Sequence, residues 1–136
     1  MFQRICHVSI LSLAVSVALV GCGPRGRPEP KRVPVSGSVT LDGKPLSDGM
    51  IYFKNIAEGA VDGIDIKDGK FEGKAQTGER RVEICQFREE GYIDMGFSKI
   101  PNKVDKIPRK YNMESKLTAT IPDAGTSDLH FEVTSK

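Results

Sequence analysis

Val33-Pro34-Val35-Ser36-Gly37-Ser38-Val39-Thr40-Leu41, followed by Asp42-Gly43-Lys44-Pro45-Leu46, is the stretch that decides the fold. Val33, Val35, Gly37, Val39 and Leu41 alternate with Pro34, Ser36, Ser38, Thr40 and Asp42. Successive side chains of a strand point to opposite faces, so this strict period of two marks a strand with one face buried. Asp-Gly tolerates left-handed backbone, and the strand therefore ends in a tight turn at Asp42-Gly43.

The same pattern recurs along the chain. Residues 50–54 carry Ile51 and Phe53 as core positions of a second strand, which runs antiparallel to the first or crosses to a second sheet. In residues 61–73, Ile64 and Ile66 face inward, Asp68-Gly69 turns, and Phe71 faces inward on the return. Residues 80–87 place Val82 and Ile84 on one face and Glu83, Cys85 and Phe87 on the other. Leu117, Ala119 and Ile121 mark a sixth strand, and Leu129, Phe131 and Val133 alternate with His130, Glu132 and Thr134 in a seventh. No stretch of ten or more residues after the leader has an apolar face of helical period. Seven short strands joined by Gly, Asp and Pro turns predict an all-β, antiparallel β-sandwich. Residues 88–107 show no sustained period and read as a long loop of the kind that carries function or is disordered.

Ahead of this domain, Arg4 supplies a positive charge and residues 8–20 are apolar but for serines, which is the anatomy of an export signal. The run falls short of the ~20 residues needed to span a bilayer. It closes on Leu19-Val20-Gly21-Cys22, which resembles a bacterial lipobox. The resemblance implies lipidation of the Cys22 thiol, cleavage before Cys22 and acylation of the new amino terminus, a combination strong enough for stable membrane anchoring. Gly23, in place of an aspartate after the cysteine, favours the outer membrane over the inner. Residues 23–32 contain Pro24, Pro28 and Pro30 among charged residues and form an extended tether of about 30 Å in polyproline geometry. The chain thus divides into a signal peptide (1–21), a lipidated cysteine with its tether (22–32) and one β domain (33–136).

The 136 residues contain 20 Lys and Arg against 18 Asp and Glu; with Arg4 the one charged residue of the leader, 19 against 18 remain after it. That balance argues against a nucleic-acid binder, whose basic footprint is large. Of the three cysteines, Cys6 lies in the leader and Cys22 is the acylation site, so Cys85 has no internal disulfide partner. Free cysteine is usually buried, yet strand parity puts Cys85 on the outer face, and the two expectations conflict.

Three segments resemble small bacterial lipoproteins that carry a carboxypeptidase regulatory-like, or transthyretin-like, domain. They are Val35 to Leu46, Asp68-Gly69-Lys70-Phe71, and Ile107-Pro108-Arg109-Lys110-Tyr111-Asn112 with Ser115 and Leu117-Thr118-Ala119. The resemblance implies a seven-stranded Greek-key β-sandwich that serves as an accessory, adhesion or scaffold module without catalysis or cofactor. The hydrolase branch of the transthyretin-like fold uses several histidines, an arginine and a C-terminal Tyr-Arg-Gly-Ser. Here the end is Val133-Thr134-Ser135-Lys136 and one histidine follows the leader, so that assignment does not carry over.

Among constellations read from the residues, His130 can share a strand face with Asp128 or Glu132, but no Gly-x-Ser-x-Gly accompanies it, and a surface histidine is the better reading. Asp62, Asp65 and Asp68 invite calcium, yet their spacing is wrong for an EF-hand loop and suits turns. One histidine and one unlipidated cysteine do not make a zinc site. Lys99, Lys103, Lys106, Arg109 and Lys110, near Tyr111, form the most basic run of the domain, either solvated or in contact with an anionic surface. Together these features predict a lipid-anchored envelope module with a protein or glycan partner. The alternatives are a small-molecule hydrolase or carrier using His130, and a redox partner acting through Cys85.

Overall fold

The computed structural model describes residues 30–136. The signal peptide, Leu19-Val20-Gly21-Cys22 and the tether as far as residue 29 lie outside the described residues. The chain forms β1 (Arg32–Leu41), β2 (Lys44–Pro45), β3 (Asp48–Asn55), β4 (Ala60–Lys67), β5 (Lys70–Gln76), β6 (Gly78–Cys85), β7 (Phe87–Asp94), β8 (Lys99–Asp105), β9 (Thr118–Ile121) and β10 (Thr126–Val133), with a 3-10 turn at Arg109–Tyr111. The protein is nearly all β, and all seven strands expected from the period are present.

The main sheet runs β10-β1-β5-β4-β3-β6-β9, with the short β2 paired to β1. Both Asp-Gly turns have the expected form: Asp42 and Gly43 stand at φ 51° and 78°, Asp68 and Gly69 at 50° and 72°. Two consecutive left-handed residues match the right-handed twist of the flanking strands. The second turn sets Lys67 opposite Lys70 and Ile66 opposite Phe71, but the hydrogen-bonded ladder between β4 and β5 ends after those two pairs. Where the strands part, the Ile64 side chain occupies the space in which a Cβ on Gly73 would stand, 2.9 Å away. Further along, Asp62 bridges the opening by accepting from the Gln76 backbone N–H at 2.9 Å and from Arg32 Nε at 2.8 Å.

The sheet curls so that its two ends share one core. Phe71 of β5 stands 6.0 Å from Phe53 of β3 and 6.3 Å from Phe131 of β10, ring centre to ring centre. Val35, Val39, Ile51, Ile66, Val82, Ile84, Ile121 and Val133 surround them, and Leu46 and Ile107 close the core from the connections. Each such side chain contributes roughly 1.5–3 kcal/mol by leaving water.

Four expectations are corrected. The sheet is not purely antiparallel, because β10 lies parallel to β1 from Val35↔Thr126 to Leu41↔Val133. The first two long strands do not pair; β1 has β2 and β5 as antiparallel neighbours, and β3 lies between β4 and β6. Residues 88–107 are not a loop: β7 and β8 form a separate two-stranded hairpin. A register shift between Glu89 and Tyr92 breaks the alternation of β7, which hid the period from the sequence. Finally, Phe87 does not continue the preceding strand, since β6 ends at Cys85.

The hairpin is held at its base. Gln86 N–H and Ile107 N–H both donate to Asp105 Oδ1 at 2.9 Å, and Arg88 holds Asp48 through two hydrogen bonds of 2.5 and 2.6 Å. Its far end is apolar and open, with Tyr92 71% and Phe97 91% exposed.

Candidate functional site

An open groove of about 1000 Å³ runs over the outer face of β4, β5, β1 and β10. The inward residues of these strands are the core residues Ile64, Ile66, Phe71, Val35, Val39 and Phe131, so the alternate residues necessarily face the groove. The pairing then sets them in transverse rows. Lys67 is the partner of Lys70, Lys70 of Ser38, and Ser38 of His130, which makes one row across four strands. At ~4.8 Å per strand the row is about 14 Å long.

Two residues further along each strand lies a second row. Glu72 is the partner of Ser36, Asp65 of β4 lies two residues before Lys67, and Ser127 and Asp128 face Ser36 where the β1–β10 register shifts. A basic row therefore lies beside an acidic one, about 6.6 Å away at the ordinary rise of a strand. None of the side chains of Lys67, Lys70, Asp65, Glu72 and Asp128 makes an ion pair or hydrogen bond with a described residue. Five acids elsewhere are ion-paired, Asp62 with Arg32, Asp48 with Arg88, Glu83 with Lys54 and Arg81, Glu90 with Lys106 and Glu114 with Arg109, whereas the carboxylates of Asp68, Glu79, Glu89, Asp123 and Glu132 have, like those of the groove, no partner among the described residues.

His130 sits in the basic row. Its Nδ1 and Ser38 Oγ are 2.8 Å apart, so its hydrogen-bond partner is a serine on β1, not Asp128 or Glu132 of its own strand. Asp62, Asp65 and Asp68 do not converge: Asp62 is buried, Asp65 is exposed on the groove face and Asp68 occupies the turn. Among the described residues no group of three or more His, Cys, Asp or Glu side chains is placed to hold a metal ion.

The basic run is divided between two elements. Lys99 and Lys103 are on β8, opposite Asp94 and Glu89, and form no ion pair with a described residue. Lys106 pairs with Glu90 at the hairpin base, Arg109 with Glu114 at 3.2 Å, and Lys110 donates to the Lys136 carbonyl while lying 4.9 Å from the Tyr111 ring centre.

Cys85 satisfies both conflicting expectations. It is the partner of Met50 on the outer side of β6, yet it is 8% exposed, because the hairpin base packs over it. Burial, with the neighbouring Asp105 carboxylate, pushes its thiol up to about 12. A thiol so protonated is a poor nucleophile at neutral pH.

The sequence reading weighed His130 and set it aside as a surface histidine, and it missed Lys67, Lys70, Glu72, Ser36 and Ser38 as one surface. The Asp68-Gly69 turn was the available signal, since a two-residue turn fixes Lys67 opposite Lys70. The remaining pairings join strands far apart in the chain and leave no local trace.

Fold and groove define a β-rich domain with an open, charge-lined surface. In comparison with known proteins, the chain matches no family model, no curated protein and no solved structure.

Proposed function

We propose that the protein is a lipid-anchored cell-envelope module. Its domain, read as a seven-stranded Greek-key β-sandwich of the transthyretin-like type, binds a protein or glycan partner or scaffolds the surface without catalysing a reaction. The observation that carries this reading is the groove, a concavity in which six charged side chains, Lys67, Lys70, Lys74, Asp65, Glu72 and Asp128, stand together without an ion pair to a described residue. Unpaired groups in a concavity are available to a ligand without an internal contact first being broken.

The anchor rests on Leu19-Val20-Gly21-Cys22. Arg32, where β1 begins, follows Cys22 by ten residues, so a tether of about 30 Å keeps the groove near the bilayer. Gly23 favours the outer membrane, and Lys99 and Lys103 are the two cations of the basic run free to meet an anionic surface.

Replacing Cys22 by Ser is expected to abolish incorporation of labelled fatty acid and leave the leader uncleaved; unchanged lipid labelling and processing overturn the anchor. For binding, a photocrosslinker at Ser36 in the intact envelope is expected to give discrete adducts that one at Ile56, exposed outside the groove, does not. Identical adduct patterns from the two positions overturn the groove as a binding surface.

A second reading has one observation in its favour. The Ser38–His130 contact is the hydrogen bond from which a histidine activates a hydroxyl, which fits a hydrolase. Turnover that survives purification and disappears in both Ser38→Ala and His130→Ala would establish it.

A further inference from the structure

We propose that the groove takes a zwitterionic ligand. Its anionic group lies on Lys67 and Lys70, and its ammonium group lies about 7 Å away, on Asp65 and Glu72. The proposal rests on the groove being a binding surface and adds the chemistry of what it binds.

Register gives the first support. Lys67 and Lys70 are direct cross-strand partners, and like charges placed so are destabilising. The carboxylates of Asp65 and Glu72, one strand repeat away, do not close on them: no ion pair forms between the rows. An anion between the two ammonium groups removes that repulsion. The same anion is repelled by Asp65 and Glu72, and Lys74, one strand repeat beyond Glu72 and without an ion pair to a described residue, offsets that repulsion only from the far side of the acidic row. One molecule that carries both charges at the row spacing satisfies both rows. A simple anion or a simple cation satisfies one row and opposes the other.

The second support is the floor. The β4–β5 ladder ends after Ile66↔Phe71, so beside the two rows the strands part and the surface becomes concave instead of flat. At the parting, Ile64 occupies the core side of Gly73 and the Tyr52 ring covers Gly63, so the floor of the concavity there is apolar. The apolar link between a ligand's two charges crosses the backbone of the Ile66↔Phe71 pair, and the recess beyond the acidic row leaves room around the ammonium end. Along the basic row, Ser38 and His130 add a hydroxyl and an imidazole beyond Lys70, within reach of further polar groups on the anionic side.

The test uses the purified full chain and titration followed by amide NMR. The probe is 6-aminohexanoate, whose amine and carboxylate are separated by five methylenes. Hexanoate carries one charge, glycine has its charges too close together, and phosphoethanolamine represents a lipid headgroup. The expected result is saturable shifts at Lys67, Lys70 and Glu72 with 6-aminohexanoate, at least tenfold weaker binding of the other three, and about tenfold weaker binding of 6-aminohexanoate to Lys70→Gln and to Glu72→Gln. Both substitutions are exposed, and an unchanged melting temperature shows that the fold is retained. Equal binding of hexanoate overturns the zwitterion and leaves a plain anion site. Tighter binding of phosphoethanolamine overturns the spacing and assigns a headgroup. No shift with any probe overturns the proposal altogether, while the Ser36 crosslinking result stands or falls independently of it.

Discussion

Cys85 shows how position and environment separate at a single residue. Parity turns it outward, and the hairpin base then covers it, so the thiol stays protonated up to about 12. Slow alkylation at pH 8 in the native protein, and fast alkylation in urea, is the expected result. A pKa raised on folding gives stability that is whole below the unfolded value near 8.5 and falls as pH climbs towards about 12. The melting temperature should therefore decline across that window, and Cys85→Val should flatten the decline. Gly37 is constrained differently: a Cβ there would stand 2.1 Å from the Leu129 carbonyl oxygen and 2.8 Å from the Phe71 ring. The Gly37→Ala variant should lose about 3 kcal/mol in urea unfolding, at the upper end for overpacking, because backbone and not a mobile side chain blocks the site. At Asp62, removal of the carboxylate orphans the buried Gln76 N–H, and Asp62→Ala should cost about 1–3 kcal/mol.

Among the elements, the β7–β8 hairpin depends most on a few contacts, since a lone two-stranded hairpin is marginal in water. Arg88 and Asp48 join it to β3; the Arg88 hydrogen bond, helped by Ser47, holds the Asp48 carboxyl well below the usual carboxylate range. A carboxyl lowered on folding stabilises above its unfolded value near 3.9 and ceases to do so only as pH falls through its folded one. Amide protection in β7 and β8 should thus be constant from pH 7 to pH 4. Arg88→Ala should lower it modestly, as an exposed ion pair is screened by solvent, and leave β3 and β6 unchanged. The hairpin was illegible in the sequence because the register shift at Glu89 and Tyr92 and the proline at Pro101 interrupt alternation, whereas β1 was legible because its partners bury every second residue. The groove was legible only in its parts. Lys67 and Lys70 are tied by one turn, but Ser38 and His130 are separated by 92 residues and meet through a pairing that no local pattern announces.

For the whole molecule, a single core joins the two ends of a curled sheet, and its centre is the aromatic run Phe53, Phe71 and Phe131. Phe53 is fully buried, and Phe53→Ala should cost about 3–5 kcal/mol and lower the melting temperature of the domain as one cooperative unit. The parallel pairing of β1 with β10 joins the first strand of the domain to its last. The chain enters the domain at the start of β1 and leaves it at the end of β10. In parallel neighbours these points lie at opposite ends of the shared ladder. Tension between the two ends of the domain therefore loads every rung from Val35↔Thr126 to Leu41↔Val133 at once, in shear, instead of peeling them one by one. Pulled between its ends, the domain should resist as a lap joint, and rupture at a higher force than when it is pulled from the hairpin tip.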